Sequence, residues 1–161
     1  MAIHRLYIDE FESTNYFLIA IHTNLEDFRL GYFINKSLDL ELKKNPTDIP
    51  IESKEGKTNF ARFEFNDENK AINWNLIENK SQIITQNKNS TIDLFADVKI
   101  QTLKKVYLLP EFKKVDFFLK VNYDDEIKIS ELINKLNKIE QISTIYQIDI
   151  NNIKNKNNLI F

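Results

Sequence analysis

Three rhythms of apolar and polar residues run along this chain. The first is a nearly unbroken apolar run, Tyr16 to His22 (Tyr-Phe-Leu-Ile-Ala-Ile-His). Such a run predicts a strand buried on both faces. The second is alternation. Ala61, Phe63 and Phe65 alternate with Arg62 and Glu64, and Ile72, Trp74 and Leu76 alternate with Asn73 and Asn75. With the turn-forming 66–70 between them, these predict an antiparallel hairpin. Leu38, Leu40 and Leu42 alternate in the same way and predict another half-buried strand. Val115, Phe117, Leu119 and Val121 predict one face of a strand, and Ile142, Tyr146 and Ile148 one face of the last strand. Shorter strands are expected over His4–Asp9 and Lys104–Leu109.

The third rhythm is helical. Leu25, Phe28, Leu30, Tyr32, Phe33 and Ile34 give a broad apolar cover from about Asn24 to Lys36. Glu26 and Asp27 fall in the first turn, where the helix dipole favours acids. Gly31 lies inside this helix, costing ~1 kcal/mol against Ala unless a close contact requires it. Asp124 and Asp125 are expected to open a second helix, whose stripe is Ile129, Leu132, Ile133, Leu136 and Ile139. Residues 45–59 hold Pro46, Pro50, Gly56 and many charges, and predict a loop. Over 81–101 no period wins, so strand, loop and short helix stay open.

These elements predict a single α+β domain, mostly antiparallel sheet with two main helices. Glu10–Leu18 can be laid on Glu111–Leu119 without gaps, matching at Glu10/Glu111, Phe11/Phe112, Phe17/Phe118 and Leu18/Leu119. This suggests two pseudo-repeated β-β-α-β units, residues 1–44 and 103–150, flanking a central hairpin at 60–79, with a tail at 151–161. The alternative is chance likeness between Phe- and Leu-rich strands. The tail, polar and basic until Leu159-Ile-Phe161, is either frayed or a docked apolar hook.

Composition narrows the chemistry. Hydrophobic residues make up 42% of the chain, which predicts a packed core. There is no Cys, so thiolate nucleophiles and Cys-held metals are excluded. With only Gly31 and Gly56, no glycine-rich phosphate loop exists. The net charge of -2 exerts no long-range pull on nucleic acid, and no window is apolar enough for a membrane span. These features, with no apolar leader-like run at the start, predict a cytoplasmic protein.

His4 and His22 would hold a metal only by converging with a carboxylate such as Asp9 or Glu26; local hydrogen bonding explains them more simply. The pairs Glu10/Glu12 and Asp124/Asp125 fit a solvated loop and a helix start better than a catalytic dyad. No serine has a Gly-x-Ser-x-Gly context. No catalytic residue, metal or cofactor is therefore assigned. Lys104, Lys105, Lys113, Lys114 and Lys120 lie near Tyr107, Phe112 and Phe118 in sequence, a mixture used for RNA, though strand-edge lysines also keep proteins soluble.

The stretch Leu109-Pro-Glu-Phe-Lys-Lys-Val-Asp-Phe117 closely resembles the signature of the IPExxxVDY family of small bacterial proteins. Pro110, Glu111, Val115 and Asp116 match its fixed letters, while Leu109 replaces Ile and Phe117 replaces Tyr. Leu25–Leu30 and Trp74–Ile77 also look like the family. The resemblance implies no reaction, and the change at Phe117 argues for ring packing over a catalytic phenol. Either the motif fixes a corner or Pro110, Glu111, Lys113, Lys114 and Asp116 form a binding site. The expectation is a non-catalytic binding or adaptor protein with a protein partner. An RNA- or ribosome-associated protein is the first alternative, and a small-molecule-binding domain or enzyme the second.

Overall fold

Strand β1 (Tyr16–Thr23) lies second from one edge of a six-stranded sheet and is buried on both faces, as its continuous apolar run requires. The computed structural model describes residues 15–86, 101–123 and 127–161. Helix α1 (Asp27–Leu38) follows β1, and the short β2 (Lys43–Lys44) follows the helix. Next come β3 (Ile49–Ser53), β4 (Gly56–Phe60), β5 (Arg62–Asp67), β6 (Ile72–Glu78) and β7 (Lys80–Gln86). The chain continues through β8 (Gln101–Tyr107), β9 (Phe117–Tyr123), α2 (Ile129–Leu136) and β10 (Ile142–Ile148).

The main sheet has the order β10-β1-β9-β6-β5-β2, and every neighbouring pair is antiparallel. Without β5 and β2, four strands remain in the order β10-β1-β9-β6. A helix follows β1 and another follows β9, and each unit's own second strand lies one place beyond the other unit's first. This is a split β-α-β arrangement repeated once. The expected α+β class is therefore present, with a mostly antiparallel sheet and two helices. The repeat is β-α-β in its described part. The second strand of the first unit's β-α-β is β6, whereas the sequence reading ended that unit at residue 44. Phe11 and most of Glu10–Leu18 fall outside the described residues, as do His4–Asp9 and Asp124/Asp125.

Both helices pack on one face of the sheet. Their Leu30, Ile34, Leu132 and Leu136 meet Phe17, Ile19, Ile21, Leu76, Leu119 and Val121. The other face buries Leu18, Ala20, Ile77 and Phe118 beneath Ile49, Phe60, Val106, Leu108, Leu109 and Leu159. A fully buried side chain of this size contributes about 1.5–3 kcal/mol, so each layer is needed to hold the sheet.

Four expectations change. Leu38–Leu42 is not a strand: α1 runs through Leu38 and stops where Asp39 takes φ 55°. The side chain of Asn35 then accepts from Leu42 N–H at 2.8 Å and donates to Leu42 C=O at 3.1 Å. That local bonding curls the chain, so the leucines reach the core from a turn. Residues 45–59 are not a loop, because β3 and β4 pair from Ile49↔Phe60 to Ser53↔Gly56. Pro50 is tolerated because β3 pairs on one side only. Val115 does not share a face with Phe117; it precedes the strand, still in the corner, and packs on the helix-free side. Ile142 and Ile148 also fall on opposite faces, since an irregularity at His22/Thr23 shifts the register of β10 and brings Ile145 inward in place of Tyr146. At Gly31, an added Cβ would lie no closer than 3.6 Å to Phe63, so no tight contact demands glycine there.

Candidate functional site

Pro110, Glu111 and Phe112 form a single 3-10 turn between β8 and β9. Pro110 begins the turn, where a missing N–H costs nothing. The turn is held from inside by Asn79, which joins β6 to β7 and is wholly buried. Its N–H donates to Asp116 C=O and its C=O accepts from Leu108 N–H, each at 2.9 Å. Its Oδ1 accepts from Leu109 N–H at 3.0 Å, and its Nδ2 donates to the carbonyls of Phe112 and Val115 at 2.9 Å. Main-chain and side-chain groups of Asn79 are thus satisfied by the motif and by Leu108 immediately before it. One Asn among many in this sequence carries no mark of that role.

The two motif acids point to different places. Glu111 reaches the C-terminal segment: Oε1 accepts from Lys154 N–H at 2.7 Å and Asn155 N–H at 3.0 Å, and Oε2 from Asn155 Nδ2 at 2.8 Å. Partial burial pushes its pKa up, but these hydrogen bonds outweigh burial and leave it below the usual value. Asp116 instead accepts from Thr23 N–H at 3.0 Å and pairs with the Lys80 ammonium. It ties β9 to the end of β1, just before α1. Lys113 and Lys114 are exposed, with Lys113 Nζ 5.9 Å from the Tyr107 ring centroid.

An open groove of about 540 Å³ starts beside Asp116. It runs between the segment Thr23–Phe28 and the ends of β6 and β9, and is lined by Glu26, Asp27, Glu78 and Asp116 against one lysine, Lys80. Burial raises the pKa of Glu78, and Asp27 raises it further; Lys44 opposes this and Asp48 adds to it. The groove therefore favours a cation. Phe28 lines its edge and is 59% exposed, and Tyr32, one helical turn along, is 62% exposed. Sequence reasoning assigned both rings to the packed face of α1. The wide apolar cover of that helix concealed which ring faces water.

The remaining candidates are dispersed. His22 stacks on Tyr146, with Nε2 3.3 Å from its hydroxyl. Among the described residues no group of acids and histidines is placed to hold a metal. The lysine and aromatic cluster does not form one surface: Phe118 is wholly buried, and Lys120 is buried in the middle of β9. Among the described residues, no helix is long and apolar enough to cross a membrane. The chain matches no family model, no curated protein and no solved structure.

Proposed function

We propose that this chain is a cytoplasmic, non-catalytic binding module of the IPExxxVDY type, which captures a protein segment carrying a basic and an apolar side chain. The observation that carries this reading is the acid-lined groove edged by the exposed ring of Phe28, with the exposed Tyr32 one helical turn along. Exposed aromatic rings beside desolvated charge are what binding hot spots are made of. The acids supply charge complementarity, which speeds encounter and selects partners. The motif supports the groove from behind, since Asp116 anchors its wall and Glu111 fastens the tail on another side.

The test uses the full chain as bait in an extract of its native cell, with captured proteins identified by mass spectrometry and then titrated in purified form. Phe28→Ser/Tyr32→Ser removes the rings without entering the core. Loss of the same partner in this variant, by about tenfold or more in affinity, supports the groove. A partner held equally by both chains, or held only in steep dependence on salt and RNA, overturns it. Glu111→Ala and Asp116→Ala separate site from scaffold: partner loss in a folded chain marks a site, and unfolding marks a corner.

A further inference from the structure

The helix-free face of the sheet changes character toward one end. The cross-strand row Leu18, Lys120, Asn75, Glu64 is followed by the row Tyr16, Asn122, Asn73, Asn66. Apolar packing there gives way to a polar island, covered in part by Leu159, Ile160 and Phe161. A cavity of about 310 Å³ lies between the island and this tail, lined by Tyr16, Lys120, Asn122, Lys156 and the tail.

Lys120 lines it, and a second cation, Arg62, lies beside it against the Phe161 ring. Lys120 is only 8% exposed, in a central strand. Its Nζ lies 4.7 Å from the Phe161 ring centroid and 5.1 Å from that of Tyr16. The Arg62 guanidinium carbon lies 4.9 Å from the same Phe161 centroid. Among the described residues no carboxylate comes within 4 Å of either cation. Glu64, on the same face, is engaged by Asn45 and Asn73. Lys120 donates to Leu159 C=O at 2.7 Å, which uses one of its three protons. Among the described residues Arg62 Nε is a buried donor without a partner, free for an anion, whereas the buried Asn75 Oδ1 and Asn122 Oδ1 are unpartnered acceptors that call for a donor. Burial, and then the nearby Arg62, lower the pKa of Lys120. Two like charges in a partly dry site are costly unless an anion joins them.

We propose that Lys120 and Arg62, with Lys156 at the rim, form a binding site for a small anion, a phosphate or carboxylate borne on a planar ring that lies against Tyr16 and Phe161. The cations answer the charge, the two aromatic rings answer the planar part, and the volume suits a ligand of that size. This site is independent of the acidic groove, which lies at the opposite ends of β1, β6 and β9.

The test is calorimetric titration of the full chain with phenyl phosphate, inorganic phosphate and benzoate. Phenyl phosphate or benzoate is expected to bind about tenfold or more tightly than inorganic phosphate, and whichever of the two binds better identifies the anionic head. Lys120→Met and Arg62→Met are each expected to lose about tenfold or more of that affinity, and Phe161→Leu to lose the preference for a ring. Should Lys120→Met fail to fold, Arg62→Met and Lys156→Gln carry the same comparison. Absence of binding by all three probes, or unchanged affinity in the folded variants, overturns the proposal.

Discussion

The corner around Asn79 and the island around Lys120 bury polar side chains against the same face of one sheet, with opposite bookkeeping. At the corner the amide group of Asn79 is satisfied on both atoms, by Leu109, Phe112 and Val115. At the island Arg62 Nε, Asn75 Oδ1 and Asn122 Oδ1 have no partner among the described residues. A saturated polar network specifies a structure, because any other packing strands its members. An unsaturated one contributes little to the fold and leaves capacity for something else. The contrast separates a polar network that closes on itself around the family-like motif from one that leaves hydrogen-bonding groups open among the described residues.

The largest expected effect breaks the corner. Asn79→Ala strands Val115 C=O and Leu109 N–H inside the protein and leaves Phe112 C=O with Val115 N–H alone, and should cost on the order of 3–5 kcal/mol in urea unfolding. A loss below about 1 kcal/mol would mean that water replaces the amide readily and that the corner is no scaffold. Asp116→Ala removes the acceptor of Thr23 N–H and the partner of Lys80, both partly exposed, and should cost about 2 kcal/mol. Glu78→Gln should change partner binding more than folding. A basic segment bound in the groove favours the charged carboxylate, so affinity should rise as pH climbs through the raised pKa of Glu78, and Glu78→Gln should flatten that rise.

Glu111 gives a gentler effect. Its folded pKa lies below the ordinary 4.5, so the stability it contributes is fully present above that value and is lost as pH falls through the folded one. The tail should therefore loosen in acid, read as faster proteolysis after Lys154 and Lys156, and Glu111→Ala should loosen it at neutral pH. The smallest effect sharpens the comparison by its sign. Lys120→Met keeps the stem packing and removes a buried charge, so stability should stay within about 1 kcal/mol or rise. A large loss would show that the bond from Lys120 to Leu159 C=O is structural and that the island resembles the corner after all.

Much of the frame was legible in local pattern. Phe17–Ile21 had to be a doubly covered strand, and the stripe from Ile129 to Leu136 had to lie on a sheet. The hairpin of β5 and β6 followed from strict alternation between Phe63 and Leu76. Local pattern failed where a side chain bonded its own neighbourhood or a register shifted. Asn35 converted the leucine alternation of 38–42 into a turn, Pro50 and Gly56 concealed the pairing of β3 with β4, and the irregularity beside Ser143 turned Tyr146 outward. The resemblance at Leu109–Phe117 drew attention to Glu111 and Asp116, but their partners, Asn155 and Thr23, are remote in sequence.

The sequence by itself determined the class of this protein: strands and helices in an α+β order, a chain without cysteine, and no glycine-rich phosphate loop. Periodicity and composition are properties of neighbouring residues, and physical chemistry acts on them before any long contact forms. Only the tertiary structure decided which strands lie side by side, that Asn79 closes the corner, that Phe28 faces water beside four acids, and that Lys120 and Arg62 share one aromatic ring. Each of these depends on groups far apart in the chain. A polar or aromatic side chain takes its role from what folding places against it.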